Sequence, residues 1–312
     1  MIAPLSTDLG VRRLLVAAGE APSVLNTQPW RFRVVRREFV ELFADPGRRL
    51  AISDPRGRSL YVSCGAALLN LRVAIRGIGY RPVVRLRPND AEPRLLAAVH
   101  LTEAEPANAR ERELYGAIAA RRTNREPYSG APVPPGLLAE MRRAAGREGA
   151  RLVPLDAPAV AEILEFAAMA EDELALSPGY RAELARWALP DFVRGPAPES
   201  DPPVTRVFGE RGRTARFEAR PRLAVLSTPG DRPVDWLRAG QALERVLLVA
   251  TAGGLSTSFL NQPLDLRDMR TRTDPRHPCG HPQMIIRFGY GPPVPRAPHR
   301  RVAELEMAGR KP

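Results

Sequence analysis

Residues 121–125 read RRTNR, so Arg121, Arg122, Thr123 and Arg125 place three guanidiniums and a hydroxyl within five positions. Guanidinium forks match phosphate oxygens, and this spacing suits a phosphate group. The same run also reads as a solvated helix terminus with cations near its negative end. A second stretch, APSVLNTQPWRF at 21–32, carries Pro22 and Pro29, the amides Asn26 and Gln28, the hydroxyls Ser23 and Thr27, and Trp30. A plain helix-to-strand loop needs one breaker and a few polar residues. This loop has the composition of a surface that receives a flat, polar-edged ligand. Asn26 and Gln28 can donate and accept at the edge of a heterocycle, and Ser23 can reach a carbonyl or hydroxyl. Trp30 reads more simply as a core aromatic that anchors the next strand.

Other stretches carry weaker signals. In GGLSTSFLNQP at 253–263, Gly253 and Gly254 allow close backbone approach to a flat ligand, and Leu260 is placed to cover one face. The alternative is a helix C-cap followed by an ordinary loop. PRAPHRR at 295–301 offers Arg296, His299, Arg300 and Arg301, either to a phosphate or to the surface. HPCGH sets His277, Cys279 and His281 at alternate positions, a spacing that fits no common closed metal site, so no metal is expected. GIGY at 77–80 lacks the remainder of a dinucleotide fingerprint. Ser63 and Cys64 have no histidine near them in sequence, so a nucleophile mechanism is not expected, and a cofactor would carry any chemistry.

The elements that must position these residues follow from periodicity. Helices are predicted at 9–20, 60–77, 109–121, 135–145, 157–176, 178–187 and 234–251. Strands are predicted at 32–35, 39–43, 83–86, 95–101, 151–155, 223–226 and 283–291, with 190–221 a Pro- and charge-rich loop or arm. The two long apolar helices match. With a shift of 175, Gly65, Ala67, Leu68 and Gly79 meet Gly240, Ala242, Leu243 and Gly254. Upstream, LLVAAGE at 14–20 matches EMRRAAGR at 140–147 with a shift of 127. Both halves run helix, strand, long helix, strand, which reads as a degenerate duplication. The growth in offset places an insertion of about fifty residues at 157–220, long enough for a lid or arm.

Composition narrows the partners. The chain has 312 residues, 44% of them apolar, which supplies a full core. The net charge is +12, and Lys311 is the only lysine. The arginines are scattered rather than gathered into a basic arm, so an anionic small molecule is expected in preference to nucleic acid. No run of eighteen apolar residues occurs and no signal peptide is visible, so no membrane span is expected. Cys64 and Cys279 give no disulfide framework, which points to the cytoplasm.

APSVLNTQPWRFRV resembles the PS-x-x-N-x-Q-P-W segment of the FMN-dependent nitroreductase family. RRTNREPYSGAPVPPGLLAEM resembles the same family's arginine motif, and DWLRAGQALERVLLVATAGGLSTSFL its long core helix. The order is unusual, because PSVLN lies in the first half and RRTNR in the second, and each half lacks the motif the other keeps. This is similar to the Acg-like actinobacterial branch, with two fused repeats. The resemblance implies an α+β fold in which repeats 1–108 and 109–312 form a pseudo-dimer with a lid insertion. It implies one FMN per chain, held where the halves meet. By position, Arg121, Arg122, Thr123 and Arg125 would hold the phosphate and ribityl chain, with Arg300 adding charge. Pro22, Ser23, Asn26 and Gln28 would contact the ring from the other half. Gly254, Phe259, Leu260, Asn261 and Gln262 would lie along the ring's pyrimidine side or face. The implied activity moves electrons from NAD(P)H to a small acceptor such as a nitroaromatic or quinone. The alternative is a flavin store closed by the 157–220 segment, whose Trp187, Phe192 and Phe208 read as ring-stacking or as core residues. A monomer is expected, or a homodimer through the insertion.

Overall fold

The computed structural model describes residues 4–187, 218, 220–265 and 280–307. Phe192, Phe208, His277 and Cys279 lie outside the described residues. No helix among the described residues is long and apolar enough to cross a membrane.

The first half begins with α1 (Asp8–Gly19), whose N-terminus is capped by the Thr7 side chain accepting from the Gly10 amide at 3.1 Å. The loop at 20–29 leads into β1 (Trp30–Val35) and β2 (Phe39–Ala44). Arg36 and Arg37, both at positive φ, make the tight turn between them. The long helix α2 (Arg58–Gly77) and strands β3 (Tyr80–Leu86) and β4 (Leu95–Ala104) complete this half. The helix α3 (Ala109–Ala120) starts with a capping box made by Asn108 and Glu111. It packs against both long helices and leads into the arginine motif.

The second half repeats the plan with α4 (Pro135–Arg147), β5 (Arg151–Pro154), β6 (Leu223–Thr228), α7 (Pro233–Ala252), β7 (Ser256–Phe259) and β8 (His281–Gly289). Both sheets are antiparallel between neighbours and share one order, β1-β2-β4-β3 and β5-β6-β8-β7. Where Arg36, Arg37 and Glu38 join β1 to β2, residues 155–222 separate β5 from β6. That interval holds α5 (Ala157–Leu176) and α6 (Pro178–Trp187).

The halves meet through α2 and α7, buried on nearly every side. A Cβ added to Gly65 would press on the Leu237 carbonyl oxygen and lie 2.9 Å from the Gly240 Cα. A Cβ added to Gly240 would press on the Val62 carbonyl oxygen and lie 2.8 Å from the Gly65 Cα. Val62 and Leu237 are also 175 positions apart, so the crossing is reciprocal, as at a two-fold axis.

One prediction fails at 256–259, which the sequence marks as turn-rich. Ser256–Phe259 is an edge strand on β8, and Thr123 forms a bridge to Thr257 on its other side. Pairing on both sides outweighs the weak strand signal of two serines beside a glycine turn.

Candidate functional site

The loop after α1 is the least regular backbone in the first half. Leu25, Asn26 and Gln28 all lie at positive φ, at 46°, 55° and 46°. Non-glycine residues rarely adopt this conformation, and it persists only where neighbours impose it. Ser23 Oγ accepts from the Gln28 amide at 2.9 Å, and Ser63 Oγ accepts from the Val24 amide at 3.3 Å. Arg48 donates to the Thr27 carbonyl at 2.8 Å. Trp30 is fully buried in the core.

The C-terminal segment after β8 crosses back and clamps this loop. Asn26 Nδ2 donates to the Pro298 carbonyl at 2.9 Å, and Gln28 Oε1 accepts from the Arg300 amide at 2.8 Å. Arg300 Nη1 donates to the carbonyls of Gln28 and Trp30. Its guanidinium also lies 3.7 Å from Asp45. The segment ends as a short helix, Val302–Leu305, and the Met307 amide bonds the Phe32 carbonyl on β1. Arg300 thus fastens the loop with its side chain, and both amides grip backbone. Free heterocycle-edge amides and a phosphate-facing Arg300 are not what the geometry gives, because the strap takes up these groups.

The arginine motif sits at the opposite wall. Arg121 caps α3 and is buried, with Nη2 donating to the Glu20 carbonyl at 3.1 Å and Nε 3.5 Å from Glu244 Oε1. Arg122 donates to the Ala119 and Arg121 carbonyls. Thr123 extends the β7 edge, and Asn124 Nδ2 pins the run to Ser256 Oγ and the Pro292 carbonyl. Burial, partly offset by Tyr128, lowers Arg125 to about 10.

Around the end of α1 these pieces converge. The Glu20 carboxylate pairs with Arg296 and lies 3.6 Å from His299 Nε2. His299 Nδ1 donates to the Gly19 carbonyl at 2.8 Å. Burial, with the guanidiniums of Arg296, Arg121 and Arg122 nearby, lowers His299 to about 4, so the ring is neutral at pH 7. Arg121, Arg122 and Arg296 therefore form one cationic cluster drawn from two distant segments. Arg296, from the PRAPHRR run, stands where Arg300 was expected.

Beneath this cluster lies a polar core that sequence reading missed. Glu244 on α7 and Asn70 on α2 are fully buried, and both side chains carry polar atoms without hydrogen-bond partners, as do Nε and Nη1 of Arg121. Burial raises Glu244 to about 8, against the opposing pull of Arg121 and Asn70. A signal was present: Glu244 interrupts an apolar helix at the position where α2 has Leu69.

The 254–262 stretch is engaged elsewhere. Gly254, at φ 77°, ends α7 as a C-cap, with the Leu255 amide returning to the Ala250 carbonyl at 2.8 Å. Phe259 packs on the main core. Leu260 is 2% exposed and joins Val160 and Ile163 of α5 in a second core on the far face of the sheet. Asn261 Oδ1 accepts from the Ile285 amide at 3.0 Å, and Gln262 Nε2 donates to Glu171 on α5 at 3.0 Å. Leu260, Asn261 and Gln262 thus anchor the inserted helices, and a ring-covering Leu260 is not what the geometry gives.

The insertion reaches the first half through α6. Glu183 accepts from the Ile52 and Ser53 amides at 3.0 and 2.9 Å and from Ser53 Oγ at 2.7 Å. The Arg48 guanidinium lies 5.6 Å from the Trp187 ring centre. α6 also packs against the turn Val24–Asn26.

Comparison with known proteins settles the family. Residues 118–290 match the model of the nitroreductase family. This chain belongs to the nitroreductase family. A Mycobacterium tuberculosis protein provisionally named NAD(P)H nitroreductase Rv3131 is 33% identical over 95% of this chain and 90% of its own length. A second from the same organism, provisionally named NAD(P)H nitroreductase Acg, is 29% identical over 96% of each chain. Among solved structures, a Bacteroides fragilis nitroreductase with bound FMN is 16% identical, covering 60% of this chain and 94% of its own, with a TM-score of 0.39. An Anabaena variabilis nitroreductase-type structure covers 90% of this chain and 88% of its own at 11% identity and a TM-score of 0.47.

Proposed function

We propose that this nitroreductase-family chain is an FMN-dependent oxidoreductase with one FMN at the seam between its halves, 1–108 and 109–312. The observation that carries this reading is the cationic cluster around Glu20. Arg296 pairs there with the Glu20 carboxylate, Arg121 donates to the Glu20 carbonyl and Arg122 lies near His299, while His299 is neutral and Glu244 is mostly protonated at pH 7. The excess of two positive charges matches a phosphate monoester dianion. Nη1 of Arg121 is a buried donor without a hydrogen-bond partner, and such a group calls for an acceptor. This donor set fits the phosphate end of FMN. Thr123 and Arg125 continue from it toward the ribityl chain, and Pro22, Ser23 and the strained backbone at 25–28 meet the ring from the first half.

Bound there, FMN would supply hydride chemistry between NAD(P)H and a small acceptor such as a nitroaromatic or quinone. The chain's residues bind, orient and exclude water, and none need act as acid or base. The C-terminal strap fixes the loop, so its strained conformation is set before any ligand arrives. Because the α2–α7 crossing lies within one chain, the working unit is the monomer, which light scattering tests.

A second reading, a flavin store without turnover, is favoured by the docking of α6 on Ile52 and Ser53 through Glu183 and by its packing against the same loop at Val24–Asn26. The visible spectrum of the purified protein, followed by anaerobic NADPH and NADH, separates the two. Oxidised-flavin bands bleached rapidly by a nicotinamide support the oxidoreductase. A yellow protein inert to both supports the store. A colourless protein that cannot be reconstituted with FMN overturns both. Arg296→Ala is expected to weaken FMN retention about tenfold, the size of one charge-assisted phosphate contact.

A further inference from the structure

The second half carries a cleft of about 130 Å³ between α3, α4 and α7. Its walls are Arg110, Glu140, Arg143, Arg147 and Arg245, and Leu114, Ala144 and Val249 supply its apolar lining. The cleft is close to the ~150 Å³ that admits a benzene-sized molecule.

The cleft exists because α3 packs differently on the two sides. Against α1 and α2, Tyr115 fills the corner. It lies on Gly77 and accepts from Arg13 Nε at 2.9 Å. Against α4 no aromatic plays that part. Arg110 reaches across to Glu140, the residue 127 positions beyond Arg13, and leaves a gap beneath.

The charges around the gap do not balance. Arg110 is taken by Glu113 and Glu140. Arg245 shares Glu148 with Arg72, at 2.6 and 2.5 Å. Arg143 and Arg147, four positions apart on one face of α4, have no acidic partner among the described residues. Proximity to the end of α4 favours both cations modestly, but it does not explain why they line the same cavity as two further guanidiniums. Burial lowers Arg245 against the opposing pull of Glu148, and Arg72 and Arg147 lower it further, so these like charges are held close at a cost that Glu148 only partly offsets. An apolar lining strengthens any anion contact made beside it.

We propose that this cleft is a second anion site, separate from the seam, that takes a phosphate group through Arg143, Arg147 and Arg245. The group is inorganic phosphate or the phosphoryl end of a small molecule. Three guanidinium forks from two facing helices suit a tetrahedral oxyanion better than a planar carboxylate.

Calorimetric titration of the protein as purified, with phosphate and with diphosphate at fixed ionic strength in chloride, tests this. Saturable binding is expected. Arg143→Ala/Arg147→Ala should weaken it at least tenfold. The control pair Arg12→Ala/Arg142→Ala removes the same charge from positions outside the cleft lining and should weaken it less than twofold. Arg147→Lys keeps the charge without the fork and should fall between. Tighter binding of diphosphate would identify a phosphoryl end, and tighter binding of phosphate a free ion. No saturable binding, equal weakening by both double variants, or release of flavin during the titration would overturn the proposal.

Discussion

At Gly19 and at Gly146 the same Ala-Ala-Gly helix end leads toward a first strand, and the chain leaves it in two ways. After α1 it takes a long loop to Trp30, with Leu25, Asn26 and Gln28 in the left-handed region and the C-terminal strap holding them. After α4 it turns once at Gly149, φ 76°, and enters β5 at Arg151. The residue matched to Ala21 is Glu148, which draws Arg72 of α2 and Arg245 of α7 into a partly buried ion-pair cluster. Glu20 and Glu148 both collect arginines, but the partners differ in kind. Arg296 is half-exposed and belongs to a strap, whereas Arg72 and Arg245 belong to the central helices. One corner keeps strain and unsatisfied donors, which are features of a binding site. The other has converted the same corner into stability.

The largest effect should come at the axis that relates the corners. Helix propensity alone predicts that Gly65→Ala stabilises α2 by up to ~1 kcal/mol. Packing should win, because the new methyl meets backbone of α7, and the loss should be about 3 kcal/mol or more. Gly240→Ala should cost a similar amount. Denaturant midpoints check this, and a tolerated alanine at either position would break the reciprocal crossing.

Next in size is Glu148→Gln, which leaves Arg72 and Arg245 with one neutral acceptor. Both arginines are partly solvated, so the expected loss is about 2 kcal/mol, below the full cost of a buried unpaired charge. Flavin content should not change. Glu20→Gln should show the reverse pattern, with little loss of stability but altered flavin retention. The same pattern for both variants would erase the difference between the corners.

The pH dependence sharpens the contrast further. Glu244 has a raised folded pKa, about 8 against an ordinary 4.5, so the folded state holds its proton more tightly. That contribution is complete below the unfolded value and fades as pH rises toward 8. Glu244→Gln should therefore flatten stability between about pH 5 and 8, by about 1 kcal/mol or more relative to the parent. Thermal melts across that range decide the matter, and parallel curves would refute the assignment.

Much of the frame was legible in sequence. The apolar runs of α2 and α7 are long enough to announce buried helices. Where side chains point was not legible. LNTQ shows two amides but not that a strap ~270 residues away would claim them, since a local pattern carries no record of a distant backbone carbonyl. Leu260 reads the same on either face of a sheet, and the inserted α5 selected the far one. Positive φ at Leu25 is not encoded by its type, because tertiary contacts impose it.

The smallest expected effect concerns the insertion itself. Burial alone would raise Glu183, but the amides of Ile52 and Ser53 and the Ser53 hydroxyl outweigh it and hold the carboxyl below its ordinary range. A depressed pKa means that this contact stabilises docking of α6 at neutral pH and is lost as the solution acidifies below the usual glutamate range. Glu183→Gln keeps an acceptor oxygen but removes the charge, so docking should weaken by only about 0.5 kcal/mol. Hydrogen exchange at α6 should rise about twofold with the rest of the protein unchanged. If α6 covers the loop at 22–28 as a flavin lid, flavin release should accelerate by a similar factor. Faster exchange with unchanged release would leave α6 as a brace for the first corner, with no part in holding flavin.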